Sequence, residues 1–532
     1  MPAKPEKPFN IIFEGEWNDI PCADYPLTPE RWAAETIRPL ANTHVDTLFY
    51  NLCSSDGYVC ELQNGELLLG NVDKFDHAWM WRYRENTRRL IEAGANPPDL
   101  AVEHGRRLGL NILPVVRMND EHDQYDFARQ EVSAFKLANP HLLIGWPEYV
   151  DFDKSVGGHP DQMSMDCFTW GMFDYAHEEV REHKFAIIEE FITRWDNDGI
   201  SLDFDRSPRL FKEYGREEDA ALMTDFIRRV RTLLDETAQK RNRPQHLHVR
   251  LIPEIEVCKE RGMDLATWVK DGLVDAISPG CGYLTFSLDL APWLDLVDSH
   301  ACWVYPSNNK WKTPDITRAW AKLMYQRGAH GLYLFNWGHV LWGFEPDHKP
   351  NEPSFVSTDI DHLHPCFYEV LSQVGELNAF ETKDSTYSLE SYTHRPMPGE
   401  DGISRRKYRA IDRVELPIVL DLGRHQFTLP FAENIEKVKS DGLSPSITLR
   451  LAIQNTTAPD EFDVSVNGRL LDQSTRSIRP VYILGNDSWV DYTLTGDELF
   501  RGENEVEIEV RHLNPQIASS PTLKNVDLFV KY

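Results

Sequence analysis

The stretch Asp198–Pro208, DGISLDFDRSP, decides the fold. Its first half has the pattern of a buried strand. Its second half places two aspartates and an arginine where that strand ends. Charged groups are costly to bury unless they are paired or used in chemistry. Side chains of a strand alternate between its two faces. Ile200, Leu202 and Phe204 therefore share one face, and Ser201, Asp203 and Asp205 share the other. A strand with helices packed outside it and a sheet interior behind it satisfies both sets.

The same rhythm runs outward from this stretch. Short apolar or alternating runs recur at 9–16, 45–52, 110–120, 199–205, 248–254, 274–280, 300–307 and 331–338. Amphipathic helical stretches lie between them, such as PERWAAETIRPLAN after the first and ITRAWAKLMYQRG before the eighth. Strand alternating with helix eight times predicts a (β/α)8 TIM barrel, here over residues 1–380. A doubly wound open sheet is the alternative. No GxGxxG follows the first run, so no dinucleotide cofactor is expected, nor any other. From about 385 to 532 the texture changes to period-two alternation, as in SITLRLAI and NEVEIEVRHL, with turn signals at Asn467-Gly468 and across Gly502-Glu503-Asn504. This part reads as an antiparallel β-sandwich.

Composition bounds the function. The 532 residues carry a net charge of −29, which argues against nucleic acid and against an anionic membrane surface as partners. No apolar run is long enough to cross a membrane as a helix. The first ten residues lack the apolar core of a signal peptide, so the expectation is an intracellular protein, or a periplasmic or secreted one whose signal was trimmed. A monomer or small homo-oligomer is expected. The eight cysteines are scattered without zinc spacing and read mostly as buried thiols; Cys53 with Cys60 could close a short loop in an exported protein.

In a (β/α)8 barrel the active site lies at the C-terminal ends of the strands. Asp203 and Asp205 thus project into that mouth. Other strand ends add Asn51, then Arg117, Asn119, Asp120 and His122, then His248, Arg250 and Glu254. Tyr305 and Asn308, then Asn336, Trp337 and His339, follow on the last two strands, and Glu14 and Glu16 on the first. Any one of these could anchor a loop. Together, carboxylates, arginines, amides and tryptophans describe a carbohydrate site, where hydroxyls need hydrogen bonds and the C–H face needs an aromatic plane. Glycosidic hydrolysis uses two carboxyl groups. Asp203 on strand four is the expected nucleophile or transition-state stabiliser, and Glu254 on strand five the proton donor, with Asp205 and Asp120 in reserve. Arg117, Arg206 and Arg250 suit an anionic sugar, a uronate or a sulfated residue, unless each neutralises a buried aspartate. The alternatives are a carbohydrate-binding barrel without catalysis, and a metal-assisted hydrolase or lyase using His122, Asp120 and Asp123.

Three segments carry a family resemblance: DYAHEEVREHKFAIIEEFITRWDNDGISLDFDRSP at 174–208, RMNDEHD at 117–123 and RLIPEIEVCKERGMDLATWVKDGLVD at 250–275. They resemble the uncharacterised bacterial glycosyl-hydrolase-like proteins described as family-10-like. The resemblance implies a (β/α)8 barrel joined to a C-terminal β-sandwich and a sugar-cleaving activity without a stated substrate. Arg117, Asn119, Asp120, His122, Asp203, Arg206 and Arg250 stand at its pattern positions; Glu254 does not. The strand-four core is also similar to the DGFR.D motif of the α-amylase clan, whose last Asp is the nucleophile, but Ser201 stands where that clan has Arg.

Overall fold

The computed structural model describes residues 6–17, 25–120, 122–124, 130–144, 171–280, 286–308, 313–335, 369–390, 416–481 and 487–532. Parallel strands form at Ile11–Glu16 (β1), Thr47–Asn51 (β2), Asn111–Arg117 (β3), Gly199–Asp203 (β4), His246–Leu251 (β5) and Ala276–Pro279 (β6). Strand β7 consists of two short pieces, Trp303–Val304 and Ser307–Asn308, and Leu332–Leu334 forms β8. Neighbours in this series pair in parallel from β1 through β6. The first piece of β7 pairs with β6 and the second with β8, and β8 pairs back to β1 at Leu332 and Ile11. The break at Tyr305-Pro306 is bridged by Tyr305 N–H to Ile277 O and by Tyr333 N–H to Pro306 O, at 2.9 and 3.0 Å. The sheet therefore closes on itself as an eight-stranded barrel. Each of the eight runs expected from the sequence overlaps one of these strands, with β5 starting two residues before its run and β7 ending one residue after its own.

The two faces separate as period-two alternation requires. Ile200, Leu202 and Phe204 join the outer core with the helices, including Phe226 and Ile227 of Glu217–Arg241. Ile12, Phe49, Leu113, Val115, Ala276, Tyr305 and Tyr333 fill the interior. Gly199 begins β4 at φ +149°, and a Cβ there would lie 2.0 Å from His246 O, so the strand-four stretch needs its glycine.

A repeated device pins the barrel floor. A side chain one or two residues before each even strand accepts a backbone N–H at the start of the odd strand before it. Asp46 takes Ile11 N–H at 3.1 Å, Asp198 takes Ile112 N–H at 2.8 Å, and Asp275 takes Leu247 N–H at 2.7 Å. His330 does the same for Val304 N–H at 3.0 Å through Nδ1. The short side chains satisfy amides that the pleat leaves unpaired at the sheet edge.

The sheets of the C-terminal region are antiparallel, and its described residues also include the α-helix Ile435–Ser440 and the 3-10 turn Gln473–Thr475. Its strands are Ser385–Glu390 (β9), Ile418–Val419 (β10), Gly423–Phe431 (β11), Ser446–Gln454 (β12), Glu461–Val466 (β13), Arg469–Leu470 (β14), Ser477–Pro480 (β15), Asp487–Leu494 (β16), Gly502–His512 (β17) and Thr522–Lys531 (β18). One sheet runs β9-β18-β12-β16-β15, with β10 beside β18; the other runs β11-β17-β13-β14. Asn467 and Gly468, at φ 51° and 75°, make the expected tight turn between β13 and β14. Gly502-Glu503-Asn504 is instead the start of β17, because the turn lies just before it. Strand β11 has no strict alternation in sequence and its pairing to β17 fixes it.

Helix Pro314–Gln326 packs on β9. There the buried Lys322 ammonium donates to Glu433 Oε1 at 2.8 Å and to Ser385 Oγ at 2.9 Å. Tyr387 and Tyr532 donate to the same carboxylate at 3.1 and 2.9 Å. This ion pair joins the barrel's last described helix to both ends of the β-rich region. Among the described residues no helix is long and apolar enough to cross a membrane.

Candidate active site

Inward side chains at the C-terminal ends of five strands meet in one buried layer. They are Glu14 and Glu16 of β1, Asn51 of β2, Arg117 of β3, Asp203 of β4 and Arg250 of β5. Asp203 is fully buried. Its Oδ1 accepts the backbone N–H groups of Asp205 and Arg206 at 2.9 and 3.1 Å, and its Oδ2 accepts Arg250 Nη1 at 3.0 Å. The second Arg250 nitrogen donates to Asp205 Oδ2 at 2.6 Å. The same guanidinium lies 3.7 Å over the Phe335 ring. The charges crowded at the end of DGISLDFDRSP are thus held by an arginine from the next strand.

Arg117 forms the second centre. Its guanidinium pairs with Glu16 and donates to Asp120 Oδ2 at 2.7 Å. Asp120 also accepts Ser55 N–H at 3.1 Å and His122 N–H at 3.0 Å. His122 bridges outward, with Nδ1 2.6 Å from Asp120 Oδ1 and Nε2 2.7 Å from Arg206 Nη2. Its side chain is 29% exposed and that of Arg206 16%, so this pair leads from the buried layer toward solvent.

Beneath the layer the described interior is filled by uncharged side chains. His248 is fully buried between Ser201 Oγ and Ser278 Oγ, each 2.8 Å from a ring nitrogen, and stacks on Tyr333. Burial and the Arg250 charge hold its pKa well below the ordinary value, so the ring is neutral.

Glu14 is the residue that sequence reasoning mentioned and left without a role. Asn51 Nδ2 donates to its Oε1 at 3.3 Å and the Tyr333 hydroxyl contacts its Oε2. Burial raises its pKa to about 8; Arg250 and Arg117 pull it down and Asp203 pushes it up. Glu131, behind His122, is raised to about 7, again by burial first, with the Ser54 hydroxyl 2.7 Å from its Oε2. The sequence signal for Glu14 was its parity alone, two residues after the interior Ile12.

Tyr305 and Asn119 are engaged away from the buried layer. Tyr305 points inward but near the start of its strand, so it belongs to the floor, where its hydroxyl donates to Phe9 O at 3.0 Å. Asn119 is spent on loops: it donates to Phe173 O and Arg209 O at 2.9 and 2.8 Å and accepts Phe173 N–H at 2.9 Å. Glu254 stands past the end of β5 as the N-cap residue of Ile255–Glu260, half-buried. Asn51 holds Glu14 and its own loop, accepting Cys53 N–H at 3.1 Å. Asn336, Trp337 and His339 lie outside the described residues. Cys53 and Cys60 are both free, buried thiols.

Two sequence expectations bear on this geometry. Arg117 and Arg250 pair with carboxylates of the chain, while Arg206 reaches His122 Nε2 at 2.7 Å and lies 3.9 Å from Asp120. The metal cluster also divides, because Asp123 turns to Lys136 Nζ at 2.6 Å while Asp120 and His122 bond to each other.

No protein-family model matches the chain, and no curated protein matches it. Solved structures give low likenesses. The chitinase ChiW of Paenibacillus sp. is 11% identical at a TM-score of 0.36, over 96% of this chain and 52% of that one. An alpha-amylase from Malbranchea cinnamomea is 10% identical at 0.35, over 94% and 96%. A beta-N-acetylhexosaminidase from Bacteroides fragilis is 11% identical at 0.35, over 69% and 65%. The chain spans about half the length of ChiW and of an N-acetylglucosaminidase from Paenibacillus barengoltzii, 52% of each. At these scores the fold rests on the strand pairing itself.

Proposed function

We propose that the chain is a glycoside hydrolase acting on a poly- or oligosaccharide, with Asp203 as the carboxylate that meets the reacting sugar. The observation that carries this reading is the state of Asp203. It lies at the C-terminal end of β4, buried, with Arg250 and two backbone N–H groups around its oxygens. Such donors fix the orientation of the carboxyl group. Glycosidic cleavage passes through an oxocarbenium-like transition state, and a fixed carboxylate is what that positive charge requires. Glu16, His122 and Arg206 stand above it as groups able to bond sugar hydroxyls.

The balance of charge favours a neutral sugar. Among the described residues Arg117 and Arg250 already pair with carboxylates, and Arg206 lies 3.9 Å from Asp120, so a uronate or sulfate would have to displace one of these contacts. Hydrolysis of a panel of neutral and anionic oligosaccharides tests both parts. Turnover of neutral members, reduced at least ~10³-fold in Asp203→Asn, is expected, since the lost charge stabilisation is worth roughly 4 kcal/mol. Sugar binding without turnover would instead leave a carbohydrate-binding barrel. Near-normal turnover by Asp203→Asn would remove Asp203 from the reaction.

A further inference from the structure

The polar groups at the C-terminal end of the barrel differ in their access to solvent. The side chains of Arg117, Asp120, Asp203, Asp205 and Arg250 are no more than 3% exposed, whereas His122 is 29% and Arg206 16% exposed. These last two meet each other: Arg206 Nη2 lies 2.7 Å from His122 Nε2. A guanidinium has only N–H groups to offer. Nε2 must therefore accept, and it carries no proton. In the neutral ring the proton sits on Nδ1, 2.6 Å from Asp120 Oδ1. Asp120 receives donors on both oxygens: His122 N–H at 3.0 Å on Oδ1, and Ser55 N–H at 3.1 Å and Arg117 Nη1 at 2.7 Å on Oδ2. A buried, fully anchored carboxylate thus fixes the tautomer of an imidazole that solvent reaches.

We propose that His122 and Arg206 are a matched acceptor and donor that read one hydroxyl of a neutral sugar, which makes His122 a specificity-determining residue. This deepens the glycosidase reading above and rests on its sugar site. A sugar hydroxyl can do at once what the pair does internally: it gives its proton to Nε2 and accepts an N–H of Arg206. A fluorine or an ether oxygen accepts only, and would set its lone pairs against that of Nε2. A site that bonds a hydroxyl rejects the analogue lacking it, because polar groups lose their partner. Here the His122–Arg206 bond must open to admit the hydroxyl and re-forms without it, so the discrimination is moderate rather than extreme. The pair is also tied to the reacting carboxylate, since the backbone N–H of Arg206 donates to Asp203 Oδ1 at 3.1 Å.

The test reads binding, so it does not depend on turnover. Thio-linked disaccharides of glucose, galactose, mannose and xylose, which resist hydrolysis, are titrated calorimetrically into the full chain. The tightest is then compared with its monodeoxy and monodeoxyfluoro derivatives. At one ring position both derivatives should lose at least ~10-fold in affinity, because fluorine cannot donate to Nε2. In His122→Ala the fluoro penalty at that position should shrink to about 3-fold or less while the other positions keep theirs. Arg206→Met, which leaves Asp120 and His122 in place, should shrink the deoxy penalty at the same position. Penalties unchanged in both variants would overturn the assignment. Nitrogen-15 spectra of histidine-labelled wild type, with the His122 signals identified by their loss in His122→Ala or their shift in Arg206→Met, read the tautomer without any ligand. Protonated Nδ1 and bare Nε2 are expected at neutral pH, and a protonated Nε2 would overturn the pairing. Binding with these couplings but no hydrolysis of the matching O-linked disaccharides would sink the hydrolase reading and leave the pair standing. Hydrolysis with unchanged penalties would do the reverse, and no binding by any of the sugars would overturn both.

Discussion

Replacing Arg250 by Met separates its service as a counter-ion from its service as a packing group. The guanidinium is 3% exposed, 3.0 Å from Asp203 and 2.6 Å from Asp205, and both carboxylates are essentially buried. Methionine keeps an apolar stem against Phe335 and removes the charge. Breaking a buried pair by deleting one partner costs about 3–5 kcal/mol, because a charge is left behind. Asp203 keeps its two backbone donors, so the expected loss at pH 8 is about 4 kcal/mol, or roughly 4–8 °C in the barrel's melting temperature. The sign with pH follows from the variant's carboxylates. Without the cation their folded-state pKa values rise, so the folded variant holds protons that the unfolded chain releases. Its stability is greatest below the unfolded value of about 4 and declines as pH rises through the folded one. Denaturant melts of Arg250→Met and wild type at pH 5 and pH 8 should therefore show the larger gap at pH 8. Adding Asp203→Asn and Asp205→Asn should recover most of the loss. A loss below about 1 kcal/mol at pH 8, or an equal loss at both pH values, would refute the counter-ion role and reopen Arg250 as a group held ready for substrate.

Two further outcomes follow from the buried charges. Lys322→Met should cost about 3 kcal/mol by stranding Glu433 at the junction of helix Pro314–Gln326 with β9, and Glu433→Gln added to it should restore part of this in the same melts; an additive pair of losses would count against coupling. Glu131, raised by burial to about 7, costs the fold increasing stability from pH ~4.5 up to that value. Glu131→Gln should therefore stabilise the protein by about 2–3 kcal/mol at pH 8 and leave it nearly unchanged at pH 4, and an equal effect at both would contradict the shift.

What the chain determined locally is the set of strands and their two faces. A stretch such as Gly199–Asp203 has apolar residues at every second position, and that period survives in any sheet that packs helices outside it. Eight such runs separated by helices sufficed for the barrel, and parity alone placed Asp203, Arg250, Arg117 and Glu14 inside it. Depth was not local. Tyr305 has the right parity and sits at the floor, because β7 begins only two residues earlier and its height depends on pairing with β6 and β8. Asn119 has a polar side chain near a strand end, but backbone groups 54 and 90 residues away consume it. The partners of each carboxyl were least local of all. Asp203 is paired with an arginine 47 residues on, whereas Glu14 meets a tyrosine 319 residues away. Charge, burial and hydrogen bonds act through space, and closing the barrel brings β1 against β8; the tertiary structure therefore decides what each carboxyl meets.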